Sequence, residues 1–303
     1  MSQFVYPVDI ISQDTSYYFK EFTTKNHKDF VKVILNENKD ALDMFINNLV
    51  QELCVGDINV PLLTSIDKLY ILLTVRAYGI SPEIVLVTET DDEEKLKVSI
   101  PVNINDILDA IRSLNLEHGF TVTDGNMTIK GSLPKKMFFD DAFDVICSTV
   151  RYIEFNNQEI DLINMSLSEK IHVLNTLPSF VFPKIIETLQ AQEAKMKATP
   201  IISLDTDKQL VTQKEVFISL FNGTIAEIIK LMFKADLREF YNNEYTLIRR
   251  FKFSYDHISN ITPAEVGMYC DIISKDMERE KKAAEEREHN QGTGIPMAPP
   301  ASS

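Results

Sequence analysis

The most apolar run of the chain is Leu69, Tyr70, Ile71, Leu72, Leu73, Thr74 and Val75, closed by Arg76. It falls far short of the roughly 20 apolar residues that cross a bilayer. No membrane span is therefore expected, and the run has to be covered by protein as a core helix. Ser65 is placed to cap it, the helix is expected over residues 66–77, and Gly79 closes it. Arg76 near a helix C-terminus suits the dipole and can reach free carbonyls. The competing reading makes Arg76 half of a buried ion pair with a partner protein, with Leu69, Tyr70 and Leu73 beside it at an interface.

A chain of 303 residues with 44% hydrophobic and 25% charged residues can bury such a helix and leaves room for two domains. Its 45 acidic residues against 31 basic ones give a formal charge of -14, which opposes phosphate backbones and anionic lipid. Nucleic acid is not an expected partner. Cys54, Cys147 and Cys270 lie far apart with no CxxC pair, and read as small buried thiols of a reducing compartment. The first eleven residues show no secretion signal.

Residues 29–53 carry Phe30, Val33, Ile34, Met44, Phe45, Leu49 and Leu53 at helical steps, with a break at 36–39. After Pro82 the β-branched runs 83–88 and 95–100 predict a hairpin around the acidic turn 90–94. A short helix is expected at 105–114, and a second hairpin joins 120–123 to 127–130 through Asp124, Gly125 and Asn126. Helical spacing returns over 140–155 in Phe143, Ile146, Cys147, Val150 and Ile153. Ser166 and Glu169 make a capping box for 166–174, and a further helix is expected at 184–197. Periodicity is lost after residue 197 around Pro200, which places a boundary there.

Beyond it, helices are expected at 212–221, at 224–245 with a break, and at 262–287. The last opens with Thr262, Pro263 and Glu265. Its charged end carries Glu278 and Lys282 at i,i+4 spacing. The fold class is accordingly α+β, predominantly α-helical, with small antiparallel hairpins. Residues 1–197 form a helical domain with inserted hairpins, 198–210 a linker, 211–288 a helical C-terminal region, and 289–303 a disordered tail.

Nothing in this pattern supplies chemistry. His27, His118, His172, His257 and His289 sit in different elements without a nucleophile or carboxylate pattern. Asp91, Asp92, Glu93 and Glu94 lack the ligand spacing of a calcium loop. No phosphate-cradling glycine motif occurs among only 9 glycines. No catalytic residue, metal or cofactor is expected. Arg249, Arg250 and Lys252 interleave with Phe251, Phe253 and Tyr255, as in a basic and aromatic patch for nucleic-acid single strands, but the favoured reading is a helix end or strand packing its aromatics while the arginines face solvent or an acidic partner.

The segment Ile66, Asp67, Lys68, Leu69, Tyr70, Leu72, Leu73, Val75, Arg76, Pro82 and Glu83, with residues 29–53 ending at Cys54 before it, resembles the baseplate hub proteins of T-even-type contractile-tailed bacteriophages. Cys147 through Ile153 and Glu154, then residues 161–178, continue the resemblance, which covers about residues 22–196. Residues 239–288, with Glu244, Tyr245, Ile261, Thr262, Pro263, Ala264, Glu265 and Tyr269, look like the C-terminal part of tail and baseplate assembly proteins. The resemblance implies a late protein made in the host bacterial cytoplasm that helps build the baseplate hub during virion morphogenesis. It transfers no catalytic residue. The partners it implies are other hub or tail proteins, with Leu69, Tyr70, Leu73, Arg76, Tyr245, Arg249, Arg250 and Tyr269 as binding residues. A chaperone-like assembly factor is expected; a permanent hub subunit, retained in the virion baseplate, is the alternative, and an enzyme whose site forms only in three dimensions is a second one. Oligomeric state stays open.

Overall fold

In the computed structural model, residues 4–89, 97–156, 158–204 and 214–292 are described. The chain opens with β1 (Val5–Ile10) and β2 (Thr15–Lys20), an antiparallel hairpin whose alternation sends Tyr6, Val8 and Ile10 into the core. The sequence reading assigned no element there. α1 (Thr24–Leu35) and α2 (Lys39–Leu53) follow, separated where the pattern broke, and β3 (Cys54–Val55) returns to pair with β2. A 3-10 turn at Val60–Leu62 leads into α3 (Ser65–Gly79).

α3 is the central helix that its apolar run demanded, buried on nearly every side. Its cap is Thr64 rather than Ser65. A capping box needs the acid three residues on, and Asp67 stands three after Thr64; its Oδ2 accepts from Thr64 N–H at 2.8 Å and from Thr64 Oγ1–H at 2.7 Å. Asp67 also accepts Ser12 N–H at 2.9 Å and Ser12 Oγ–H at 2.6 Å, so the turn of the first hairpin is pinned to the helix start. At the other end Gly79 lies against Phe22, where a Cβ would stand 2.7 Å from that residue's own Cβ. Only glycine fits there without displacing backbone.

β4 (Glu83–Glu89) and β5 (Lys97–Asn103) form the expected hairpin; its acidic turn lies outside the described residues. α4 (Ile104–Ser113) packs on α3. β6 (Gly119–Asp124) and β7 (Met127–Ser132) make the second hairpin, and α5 (Ala142–Thr149) follows. The helix expected over 140–155 ends at Thr149, because residues 150–155 form β8 (Val150–Phe155), paired with β7 and with β9 (Gln158–Asp161). Val150 and Ile153 satisfy helical spacing, but the β-branched and aromatic run also suits a strand, and the open edge of β7 decides between them. The result is a four-stranded antiparallel sheet in the order β6, β7, β8, β9.

α6 (Leu167–Leu174) starts on the Ser166–Glu169 box as expected, and α7 (Val181–Ala198) follows. β10 (Ile202–Leu204) and β11 (Lys214–Val216) pair with each other, where the sequence predicted part of a linker and a helix over 212–221. Residues 205–213 lie outside the described set. No helix forms at 217–221, because buried Glu193 of α7 accepts Ser219 Oγ–H and Leu220 N–H, each at 2.6 Å, and holds this segment against α7 as irregular chain. Ile218 and Leu220 are buried in consequence.

α8 (Thr224–Phe233) and α9 (Leu237–Phe251) divide the run expected to break, and α10 (Tyr255–Asn260) and α11 (Pro263–Gly292) complete the chain. The boundary placed near residue 198 does not divide the hydrophobic core. One cluster runs from Tyr6 through α3 and the four-stranded sheet to Phe233 of α8. A second, small cluster of Leu247, Ile258, Val266 and Ile273 holds α9, α10 and α11 together as a C-terminal arm. α11 continues through residues 289–292, where a disordered tail was expected; 293–303 lie outside the described residues.

Candidate interaction surfaces

The eight residues singled out for partner binding divide into two groups. Leu69 and Leu73 are fully buried, Tyr70 is 3% and Arg76 7% exposed. They are covered by the protein's own elements and offer no surface, which corrects the expectation for these four. The Arg76 guanidinium is spent internally: Nε donates to the carbonyl of Met232 and Nη1 to that of Ser81, both at 2.6 Å. Burial lowers its pKa to about 10. Arg76 thus satisfies a free carbonyl at the C-terminal turn of α8, the carbonyl-reaching role rather than the interface role.

Tyr245, Arg249, Arg250 and Tyr269 gather on the arm. Tyr245 is 62% exposed, and Arg249 Nη1 donates to its hydroxyl at 3.0 Å one turn along α9. Arg250 lies 3.8 Å from Glu280 of α11. Tyr269 packs inward instead, with its ring 5.5 Å from that of Phe251 and 5.1 Å from that of Phe253. The basic and aromatic run at 249–255 is therefore a helix end whose rings pack on one another, with Lys252 closing α9 at a positive φ of 60°.

Sequence reading missed the rest of this surface. Tyr241, Tyr245, Ile248 and Phe251 recur at helical steps along α9 and are exposed, as are Met268, Ile272 and Met277 on α11. From residue 274 to 287 every position of α11 is exposed, a projection of about 20 Å at 1.5 Å per residue. Within α11 the described side chains pair Arg279 with Asp276 and Lys281 with Glu285, rather than the expected Glu278 with Lys282.

The arm is moored to the body by a buried ion pair. Lys28 Nζ of α1 donates to both carboxylate oxygens of Glu244, at 2.7 and 2.9 Å, and lies 4.0 Å over the ring of Tyr241. Thr24 donates to the Ile261 carbonyl through its backbone N–H and its hydroxyl. His27, beside them, is ringed by Phe22, Phe233 and Phe240, and burial pulls its pKa down to about 4.

A separate pit of about 430 Å³ lies between α2 and α3, its floor largely apolar and its rim carrying polar side chains. Asp43, Asn47 and Gln51 line it from one face of α2, with Lys68 from α3 and Lys135 and Lys136 from the segment before α5. Lys68 is buried, donates to the Lys135 carbonyl at 2.7 Å, and has its pKa lowered by burial to about 8. Burial raises that of Asp43, and buried oxygens of Asp43 and Asn47 lack a hydrogen-bond partner. Among the described residues no group of three His, Cys, Asp or Glu side chains is placed to hold a metal ion. Cys54 and Cys147 are buried free thiols and Cys270 is half-buried, all pushed up by burial. No helix among the described residues is long and apolar enough to cross a membrane.

A family model described as T4 bacteriophage base plate protein matches residues 1–222, from the first hairpin to the turn before α8. No curated protein and no solved structure matches the chain.

Proposed function

Because this chain belongs to the T4 bacteriophage base plate protein family, we propose that it is an assembly factor for the baseplate hub, binding hub or tail proteins in the host cytoplasm and leaving when their proper neighbours arrive. The observation that carries this reading is the arm. It lies beyond the matched residues, is moored to α1 by the Lys28–Glu244 pair, the Thr24 bonds to Ile261 and the Phe240 ring on His27, and presents a narrow apolar and aromatic stripe followed by an exposed charged helix. A permanent subunit is expected to offer a broad apolar face. A narrow stripe beside a solvated helix suits contacts that form and release. The role proposed is binding without catalysis, and Tyr245, Arg249 and Arg250 are its proposed contact residues.

Quantitative mass spectrometry of purified virions against a known hub subunit tests it. The protein is expected to be absent or far below stoichiometric, while a tagged copy taken from infected cells brings hub proteins with it, and Tyr245→Ala with Arg249→Glu weakens that recovery at least tenfold. Full occupancy in virions would establish the second reading, a structural hub subunit. That reading draws on the family's name for a base plate component.

A further inference from the structure

The four-stranded sheet ends on β9, and among the described residues nothing pairs with its outer edge. All four of its residues are exposed. Cross-strand register assigns its faces: Ile160 stands opposite Ile153, and Gln158 opposite Phe155, on the face that elsewhere packs into the core. At this end of the sheet that face is not covered. A groove of about 420 Å³ opens there, walled by Met127, Ile153, Phe155 and Ile160 from the sheet and by Leu177 and Phe180 from the turn after α6. Phe155 and Phe180 are each about half exposed.

The opposite face is acidic. Glu159 and Asp161 of β9 share it with Glu154 of β8; Lys130 lies 3.7 Å from Glu154 and 3.9 Å from Glu159, and the buried Lys170 feels the charge of Asp161. Charged residues on an edge strand are a common guard against pairing with a copy of itself, and two such edges brought together would set carboxylate against carboxylate. A second copy of this chain is therefore the wrong occupant. Next to the same edge, cations meet the carboxylates on one face while alternate apolar side chains drop into the groove on the other.

We propose that β9 receives an extended segment of a partner protein in which apolar and basic residues alternate, added as a fifth strand. Backbone pairing along the edge gives affinity, the groove selects the apolar positions, and Glu154, Glu159 and Asp161 select the basic ones. The site lies within the family-matched residues and well apart in sequence from the arm, so it holds or fails independently of the assembly-factor reading.

The test uses the full chain and a labelled, end-capped nine-residue peptide of alternating lysine and valine, with a control of the same composition in two blocks. Fluorescence anisotropy is expected to show saturable binding of the alternating peptide, at least tenfold tighter than the control. Ile160→Asp, and separately Phe180→Ser in the exposed turn, weaken it at least tenfold while circular dichroism shows an unchanged fold. Glu159→Lys weakens it and flattens its salt dependence. Amide hydrogen exchange slows in β9 when the peptide binds. Equal binding of both peptides would reduce the site to charge alone and overturn the proposal, as would unchanged β9 exchange or full binding by Phe180→Ser.

Discussion

His27 is the residue on which solution conditions act most directly. Its ring packs against three phenylalanines, so ionising it means placing a cation among apolar rings, and its pKa falls from 6.5 to about 4. The folded protein therefore keeps His27 neutral at pH values where the unfolded chain has already bound a proton. Stability is fully present above about pH 6.5, declines as pH falls towards 4, and levels off below. A shift of that size corresponds to about 3 kcal/mol. Urea unfolding at pH 7.5 and 4.5 should show the loss, and His27→Leu should remove that part of it while leaving the share due to carboxylates. An identical pH dependence in the variant would mean that His27 is already charged in the fold.

Among the elements, the arm depends on few contacts of high value. Its own cluster is small, and Lys28 with Glu244 is its deepest tie to α1. Glu244→Ala would leave an ammonium buried without its acid, a change that costs about 3–5 kcal/mol. The expected outcome is local: hydrogen exchange quickens across α9 and α11 while α3 keeps its protection, and Lys28→Met with Glu244→Leu restores the docking. Equal loss of protection in α3 would show the arm to be part of the central cooperative unit. The elements legible in the sequence were those with a second signal beside periodicity, such as Ser166 with Glu169 and Thr262 with Pro263 and Glu265. β8 was misread because Val150 and Ile153 fit either period, and residues 217–221 because only the distant Glu193 decides their path. The site was half legible for a related reason. Apolar character marks Leu69 and Tyr245 alike, yet covering one and baring the other is decided by neighbours far off in sequence.

Over the whole molecule the matched family region and the folded unit do not coincide. The match stops at residue 222, yet α8 begins two residues later and lies in the same core. Its Phe233 ring meets Phe22 at 5.6 Å and Phe30 at 4.6 Å, Met232 takes the Arg76 bond, and Ile225, Ile228 and Ile229 are buried beside them. Each such side chain contributes about 1.5–3 kcal/mol by burial, so five of them rival the 5–15 kcal/mol that typically separates folded from unfolded protein. A chain cut after residue 222 should therefore melt without a sharp transition and bind a hydrophobic dye. A chain cut after residue 274 lacks the exposed, charged end of α11, whose tie to α9 is the surface pair of Glu280 with Arg250, and should keep the melting temperature of the full protein within a few degrees. The shorter chain melting as cooperatively as the full one would mean that α8 rests on a finished core. The arm would then be joined to the body through a removable helix, and not through one that the body needs in order to fold.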